Sequence, residues 1–152
     1  MNKSAYEFAL EFKKKHPFTV AWRIKQNASV VDHHVNSDER VLYAFAAQKN
    51  NNPFNIWGTA VVAITNKRIL IGRKRVVIGY FLNSVTPDMF NDLKVTSGII
   101  WGKIYIDTVK EFIALSNISK DALDEIETEI STYMMEEKKQ YTMNQNNSGG
   151  KI

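Results

Sequence analysis

Apolar positions along the chain first recur at a helical period and then, after residue 36, at the period of strands. Ala5, Phe8, Ala9 and Phe12 share one helix face behind the capping-box pattern Ser4-Ala5-Tyr6-Glu7. Lys13, Lys14 and Lys15 then fall at the negative end of the helix dipole, and Pro17 ends the element. Ala21, Ile24, Ala28, Val31 and Val35 repeat the helical spacing, although Val20, Trp22 and Ile24 also fit a short strand; a second helix is the reading adopted. Residues 1–36 therefore form an N-terminal helical extension.

Beyond Asn36, Ser37, Asp38 and Glu39 the residues turn β-branched and aromatic. Segments 40–47 and 57–65 read as two strands of a hairpin around Lys49, Asn50, Asn51, Asn52 and Pro53. Asn66-Lys67 separates the second strand from 68–72, and Arg73-Lys74 separates that from 75–82, which makes a four-strand meander. Ser84, Thr86 and Pro87 interrupt the pattern, and 93–96, 102–107 and 111–115 supply three further strands. In the middle one of these, Ile104 and Ile106 alternate with Lys103, Tyr105 and Asp107, so one face is buried and the other wetter.

Ser119 is a plausible helix N-cap, with Asp121 and Asp124 in the first turns. Leu123, Ile126, Ile130, Tyr133 and Met134 then make the apolar stripe of an amphipathic helix of about five turns. Residues 139–152 have no such period and read as a disordered tail. The expected class is mainly β with helices: two packed antiparallel sheets, of four and three strands, capped by a C-terminal helix.

Particular residues carry a family resemblance over residues 37–136. They are Asp38-Glu39-Arg40-Val41-Leu42, Ala63-Ile64-Thr65-Asn66-Lys67-Arg68-Ile69-Leu70 and Trp101-Gly102-Lys103-Ile104-Tyr105-Ile106. In this order and spacing the segment resembles bacterial pleckstrin-homology-like (PH-like) domains, and among them the YokE-like type. In the Thr-Asn-Lys-Arg element, Asn66 is expected to take the left-handed conformation of a tight turn and Arg68 to begin an exposed strand edge. The resemblance implies a PH-like barrel at 37–138 and a binding function exercised through its loops or an edge.

The totals narrow this picture. A chain of 152 residues with 44% hydrophobic composition can bury one core without staples. The absence of cysteine excludes disulfides, thiolate metal sites and a cysteine nucleophile. No apolar run reaches the length of a membrane-spanning helix and the start lacks an apolar signal core, so the expected location is cytoplasmic, with peripheral membrane contact as the alternative. Twenty basic against sixteen acidic residues, a net charge of +4, is too mild an excess for a dedicated nucleic-acid binder.

Lys49, Arg73, Lys74 and Arg75 are the candidate anionic-ligand group, because the loops after the first and third strands of a meander share one end and clustered cations can engage phosphate oxygens. Lys67 and Arg68 belong to the opposite end. Asn50, Asn51 and Asn52 stand where phosphoinositide-binding PH domains carry basic residues, which argues against that specificity. Ile99, Ile100 and Trp101 are the candidate apolar contact, either a tip facing a partner or membrane or a closure of the core.

Asp32, His33 and His34 are of metal-ligating types, but adjacent histidines diverge by about 100° on a helix, so no metal site is assigned. Phosphate-binding loop, dinucleotide, zinc-protease and nucleophile-elbow motifs are all missing. The expectation is a non-catalytic module without cofactor that binds a protein partner or associates with itself. The alternative is a peripheral reader of anionic membrane lipid.

Overall fold

Ser4 opens the first helix as its capping box requires: its hydroxyl accepts from the Glu7 N–H at 3.2 Å, and its own N–H donates to Glu7 Oε2 at 2.7 Å. Helix α1 runs over Ala5–Lys15. The second helix, α2, spans only Ile24–His34, and residues 17–23 belong neither to it nor to a strand. Arg23 enters α2 with φ of 52°, a left-handed conformation that breaks the helical period at that point. Asp32 on α2 accepts from the Ala5 and Tyr6 N–H groups at 2.7 and 3.2 Å, so α2 caps α1. The computed structural model describes residues 2–52 and 54–149, the side chain of Tyr141 excepted; Pro53 of the expected turn and the last residues of the expected tail lie outside it.

The strands are β1 (Val41–Gln48), β2 (Thr59–Thr65), β3 (Ile69–Lys74), β4 (Tyr80–Val85), β5 (Phe90–Ser97), β6 (Trp101–Thr108) and β7 (Phe112–Ser119). They lie in the order β4-β3-β2-β1-β7-β6-β5, antiparallel throughout. The four-strand and three-strand meanders meet where Gln48 pairs with Ser116, so the whole is a curled sheet of PH-like form. One turn differs from expectation. Arg73 and Lys74 are the last residues of β3, paired with Phe81 and Tyr80, and the chain reverses over residues 75–79 instead. Gly79, with φ of 88°, supplies the turn conformation, and Arg75 N–H donates to its carbonyl at 2.9 Å.

Every residue of β2 is buried because both faces of its sheet are covered. Ala60, Val62 and Ile64 face the barrel core with Phe45, Ile69, Ile71, Ile104, Ile106 and Leu115, whereas Val61 and Ala63 face α1 and α2 with Ala44, Leu70, Ala9 and Val31. Helix α2 lies close on β3 at Gly72, where a Cβ would come within 2.8 Å of Val31 Cγ2. The N-terminal extension is thus packed on the outer face of the sheet.

Helix α3, Leu123–Ser148, follows a one-turn 3-10 helix at Lys120–Ala122. Leu123, Ile126, Ile130 and Met134 fill the inner core. Its start sits against β6 at Gly102, where a Cβ would meet Leu123 Cδ1 at 2.3 Å. The helix continues into the segment read from sequence as a disordered tail; beyond Lys138, whose ammonium lies 5.8 Å from the Phe90 ring centroid, the described side chains are exposed.

Replacing Ile130 by Asp puts an unpaired carboxylate among the core aliphatics and should cost about 3–5 kcal/mol. Truncation after Gln140 should leave the melting temperature within a few degrees of wild type. Denaturant unfolding checks the first and thermal unfolding the second; an unchanged midpoint for Ile130→Asp would overturn the core role of α3.

Candidate functional site

Antiparallel pairing brings the β1–β2, β3–β4 and β6–β7 loops to one end of the sheet, since Gln48 pairs with Thr59, Lys74 with Tyr80 and Asp107 with Phe112, while the β5–β6 loop lies where β7 ends, Trp101 pairing with Ser119. Residues 17–23 run from the β5–β6 loop to this loop end. Trp101 Nε1 donates to the Phe18 carbonyl at 2.7 Å, Ser119 N–H to Thr19 Oγ1 at 2.9 Å, and Val20 N–H to the Asn117 carbonyl at 3.0 Å. Gln48 Nε2 donates to the Val20 carbonyl at 2.8 Å, Trp22 N–H to Thr59 Oγ1 at 3.1 Å, and Arg23 Nη1 to the Lys74 carbonyl at 3.3 Å.

Of the expected anionic-ligand group, Lys49 and Arg73 lie near each other at this end. Burial lowers the Lys49 ammonium from its ordinary value, Glu111 works against that shift and Arg73 adds to it. Lys49 is nevertheless engaged, donating to Asn83 Oδ1. The Arg73 and Arg75 guanidiniums lie 5.5 and 5.4 Å from the Phe81 ring centroid, within cation–π range. Arg73, Lys74 and Arg75 have no ion-pair partner among the described residues.

The expected apolar group is exposed rather than folded into the core. Ile99 is 93% exposed, Ile100 48% and Trp101 41%, and with Phe18 they border a groove of about 860 Å³. Two further features escape a local reading of the sequence. Val76, Val77 and Ile78, which resemble strand residues, form the exposed tip of the β3–β4 hairpin, and Gly79 is the signal that could have located that turn. Trp22 and Trp57 line a cavity of about 420 Å³ with Arg23, Arg73 and Lys74, a grouping made by contacts remote in sequence.

At the opposite end Lys67 and Arg68 are spoken for. Lys67 pairs with Asp38, and Arg68 holds Glu39 through Nε and Nη2 at 3.0 and 3.1 Å while also donating to the His34 carbonyl at 2.9 Å. Thr65 Oγ1 donates to Glu39 Oε1 at 2.6 Å and accepts from the Lys67 and Arg68 N–H groups. Asn66 does not take the expected left-handed conformation: the threonine hydroxyl closes the turn, and Asn66 Oδ1 accepts from Arg40 N–H at 2.8 Å. Arg68 is likewise half-buried, because its guanidinium turns inward to the Glu39 carboxylate. His33 and His34 bond the Ser29 and Val30 carbonyls through Nδ1, and His34 Nε2 meets the Tyr80 hydroxyl at 3.2 Å, so the two rings are used within the fold.

The residues of this network are those by which the chain resembled a known family, and they join its first hairpins into one unit. A family model described as bacterial PH domain matches residues 35–132. The chain belongs to the bacterial PH domain family. Domains of this kind are generally non-catalytic binding modules. A search of curated proteins found no match. The match covers the bacterial PH domain from just before β1 into α3 and leaves α1 and α2 outside it. Among the described residues no helix is long and apolar enough to cross a membrane.

The buried Glu39–Arg68 pair should dominate the acid response of this PH domain. Burial raises the Glu39 carboxyl, but hydrogen bonds from Arg68, Thr65 and Asn36 more than offset this and hold it below its ordinary value of 4.5. A carboxyl lowered on folding contributes stability that is complete above its unfolded value and is lost as pH falls through the folded one. Glu39→Ala should therefore cost about 3 kcal/mol at neutral pH, with the gap from wild type narrowing in acid. Denaturant curves at a series of pH values check this; a gap independent of pH would sink it.

Proposed function

We propose that this bacterial PH domain is a non-catalytic binding module that docks its loop end on an anionic membrane surface. The observation that carries this reading is the β3–β4 hairpin tip, where Val76, Val77 and Ile78 are 84%, 88% and 80% exposed beside three cations, Arg73, Lys74 and Arg75. A convex aliphatic tip suits a soft interface better than a preformed pocket. Its side chains can enter the boundary between headgroups and acyl chains while the guanidiniums stay at the level of the phosphates. Near an anionic surface each such cation contributes about 1 kcal/mol. Phe54 and Trp57, exposed on the neighbouring β1–β2 loop, add groups of the type that favours a membrane interface.

A protein partner is the second reading, favoured by the groove bordered by Phe18, Ile99, Ile100 and Trp101, where the β5–β6 loop meets the end of β7. Its apolar lining and concave form suit a side chain or short segment of another protein. The two readings differ in their response to salt and lipid charge.

Vesicles containing phosphatidylglycerol should sediment the protein at low salt, and pure phosphatidylcholine vesicles should not. High salt should release it, because screening weakens the contribution of the exposed cations. Changing Arg73, Lys74 and Arg75 together to Ser should reduce binding about tenfold or more, as should Val77→Asp, whereas Lys67→Ser at the other end should have little effect. Failure of wild type to bind anionic vesicles at low salt would reject the membrane reading and leave the protein partner.

A further inference from the structure

We infer that the cavity between Trp22 and Trp57 is a site for a small organic anion bearing a flat ring, of the nucleoside monophosphate class. This goes beyond surface docking and does not depend on it. The cavity, of about 420 Å³, is of small-ligand size and more enclosed than the groove at Phe18. Its indole walls are open, with Trp22 53% and Trp57 81% exposed. An exposed indole stacks with any flat π system, because every base has a π face. Arg23, Arg73 and Lys74 border the same cavity and have no ion-pair partner among the described residues, so a phosphate on the stacked ring would meet uncompensated positive charge.

The walls are fixed from behind. Asn27, which is buried, donates from Nδ2 to the Trp22 carbonyl at 3.2 Å and accepts the Lys74 N–H on Oδ1 at 2.9 Å. Thr59 Oγ1 accepts the Trp22 N–H at 3.1 Å and Gln48 Nε2 at 2.6 Å. Both backbone hydrogen-bonding groups of Trp22 are therefore satisfied, and the backbone of Lys74 is tied to the start of α2 through Asn27 and Arg23. A site held this way loses less conformational freedom on binding. Trp22, Arg23 and Asn27 lie outside the residues matched by the family model, so the cavity is a joint product of the N-terminal extension and the barrel. Its size and enclosure fit a single nucleotide rather than a strand.

The full chain, without vesicles, is titrated with AMP, GMP, CMP and UMP, with adenosine and with inorganic phosphate. Tryptophan fluorescence and calorimetry are the two readouts. At least one nucleotide should give saturable quenching and measurable heat, with adenosine and inorganic phosphate about tenfold or more weaker, equivalent to 1.4 kcal/mol. Arg23→Gly should weaken that nucleotide about tenfold while leaving the fold intact, since glycine accepts the positive φ that Arg23 adopts. Trp57→Ala, followed by calorimetry because it removes a reporter, should weaken it similarly, and Lys67→Ser should not. The inference is overturned if no nucleotide binds up to millimolar concentration. It is also overturned if adenosine or phosphate alone binds as well, or if a single-stranded oligonucleotide binds while mononucleotides do not. Because the titration contains no membrane, its outcome is separate from that of vesicle sedimentation.

Discussion

The segment joining α1 to α2 is hydrogen-bonded to the ends of β6, β7, β1, β2 and β3 in turn, and the arrangement of the rest follows from that crossing. The two meanders share one residue pair, Gln48 with Ser116, and could hinge about it if nothing else spanned the seam. The crossing spans it. Each bond contributes about 0.5–1.5 kcal/mol net, and together they fix strand ends that would otherwise present unpaired polar groups. Because the same stretch delivers α1 to one side and α2 to the other, it also determines how the outer face of the sheet is covered. Phe12 and His16 complete the join: Phe12 lies 5.8 Å from Phe45 between ring centroids, and His16 Nε2 lies 2.7 Å from Glu125 Oε2 on α3.

The two ends of the barrel use positive charge differently. At the β2–β3 end, Lys67 and Arg68 are matched with Asp38 and Glu39, so those cations serve the fold. Removing one member of the buried pair would leave the other desolvated and alone. At the loop end, Arg73, Lys74 and Arg75 rest on an aromatic ring or face solvent without a carboxylate partner, and apolar side chains surround them. Such charges add little to stability. Their field is available to a ligand, and this asymmetry distinguishes the end suited to binding from the end that holds the hairpins in register.

The element order was legible because local chemistry agrees with the fold. The Ser4–Glu7 box, the alternation in β6 and the Leu123–Met134 stripe each point to the element that forms. The β3–β4 turn was misplaced because Val76, Val77 and Ile78 have high strand propensity, whereas the reversal is governed by the backbone freedom of Gly79. Arg68 and Arg73 look alike in sequence, each beside a lysine and five residues apart across the apolar stretch Ile69-Leu70-Ile71-Gly72. They differ only through partners remote in the chain, Glu39 for one and the Phe81 ring with open solvent for the other. Likewise meander geometry gives the loop end, with Trp57 on its β1–β2 loop, but Trp22 and Arg23 could not be joined to it without the crossing segment.

That the candidate surface depends on residues outside the family match bears on how such a domain acquires function. A curled sheet with one closing helix leaves its outer face and its strand ends uncovered, and any chain that covers them alters both at once. Here α2 covers the outer face so closely that Gly72 has no room for a side chain, and that contact holds Asn27 where it can bond Lys74 and Trp22. Packing on the face of the sheet therefore sets the geometry at its end. A change on α2 far from the loops would be felt in the cavity through Asn27, whereas a change in the β1–β2 loop would reach it through Trp57 and Thr59. The fold supplies the loops, and the extension determines which of them act together.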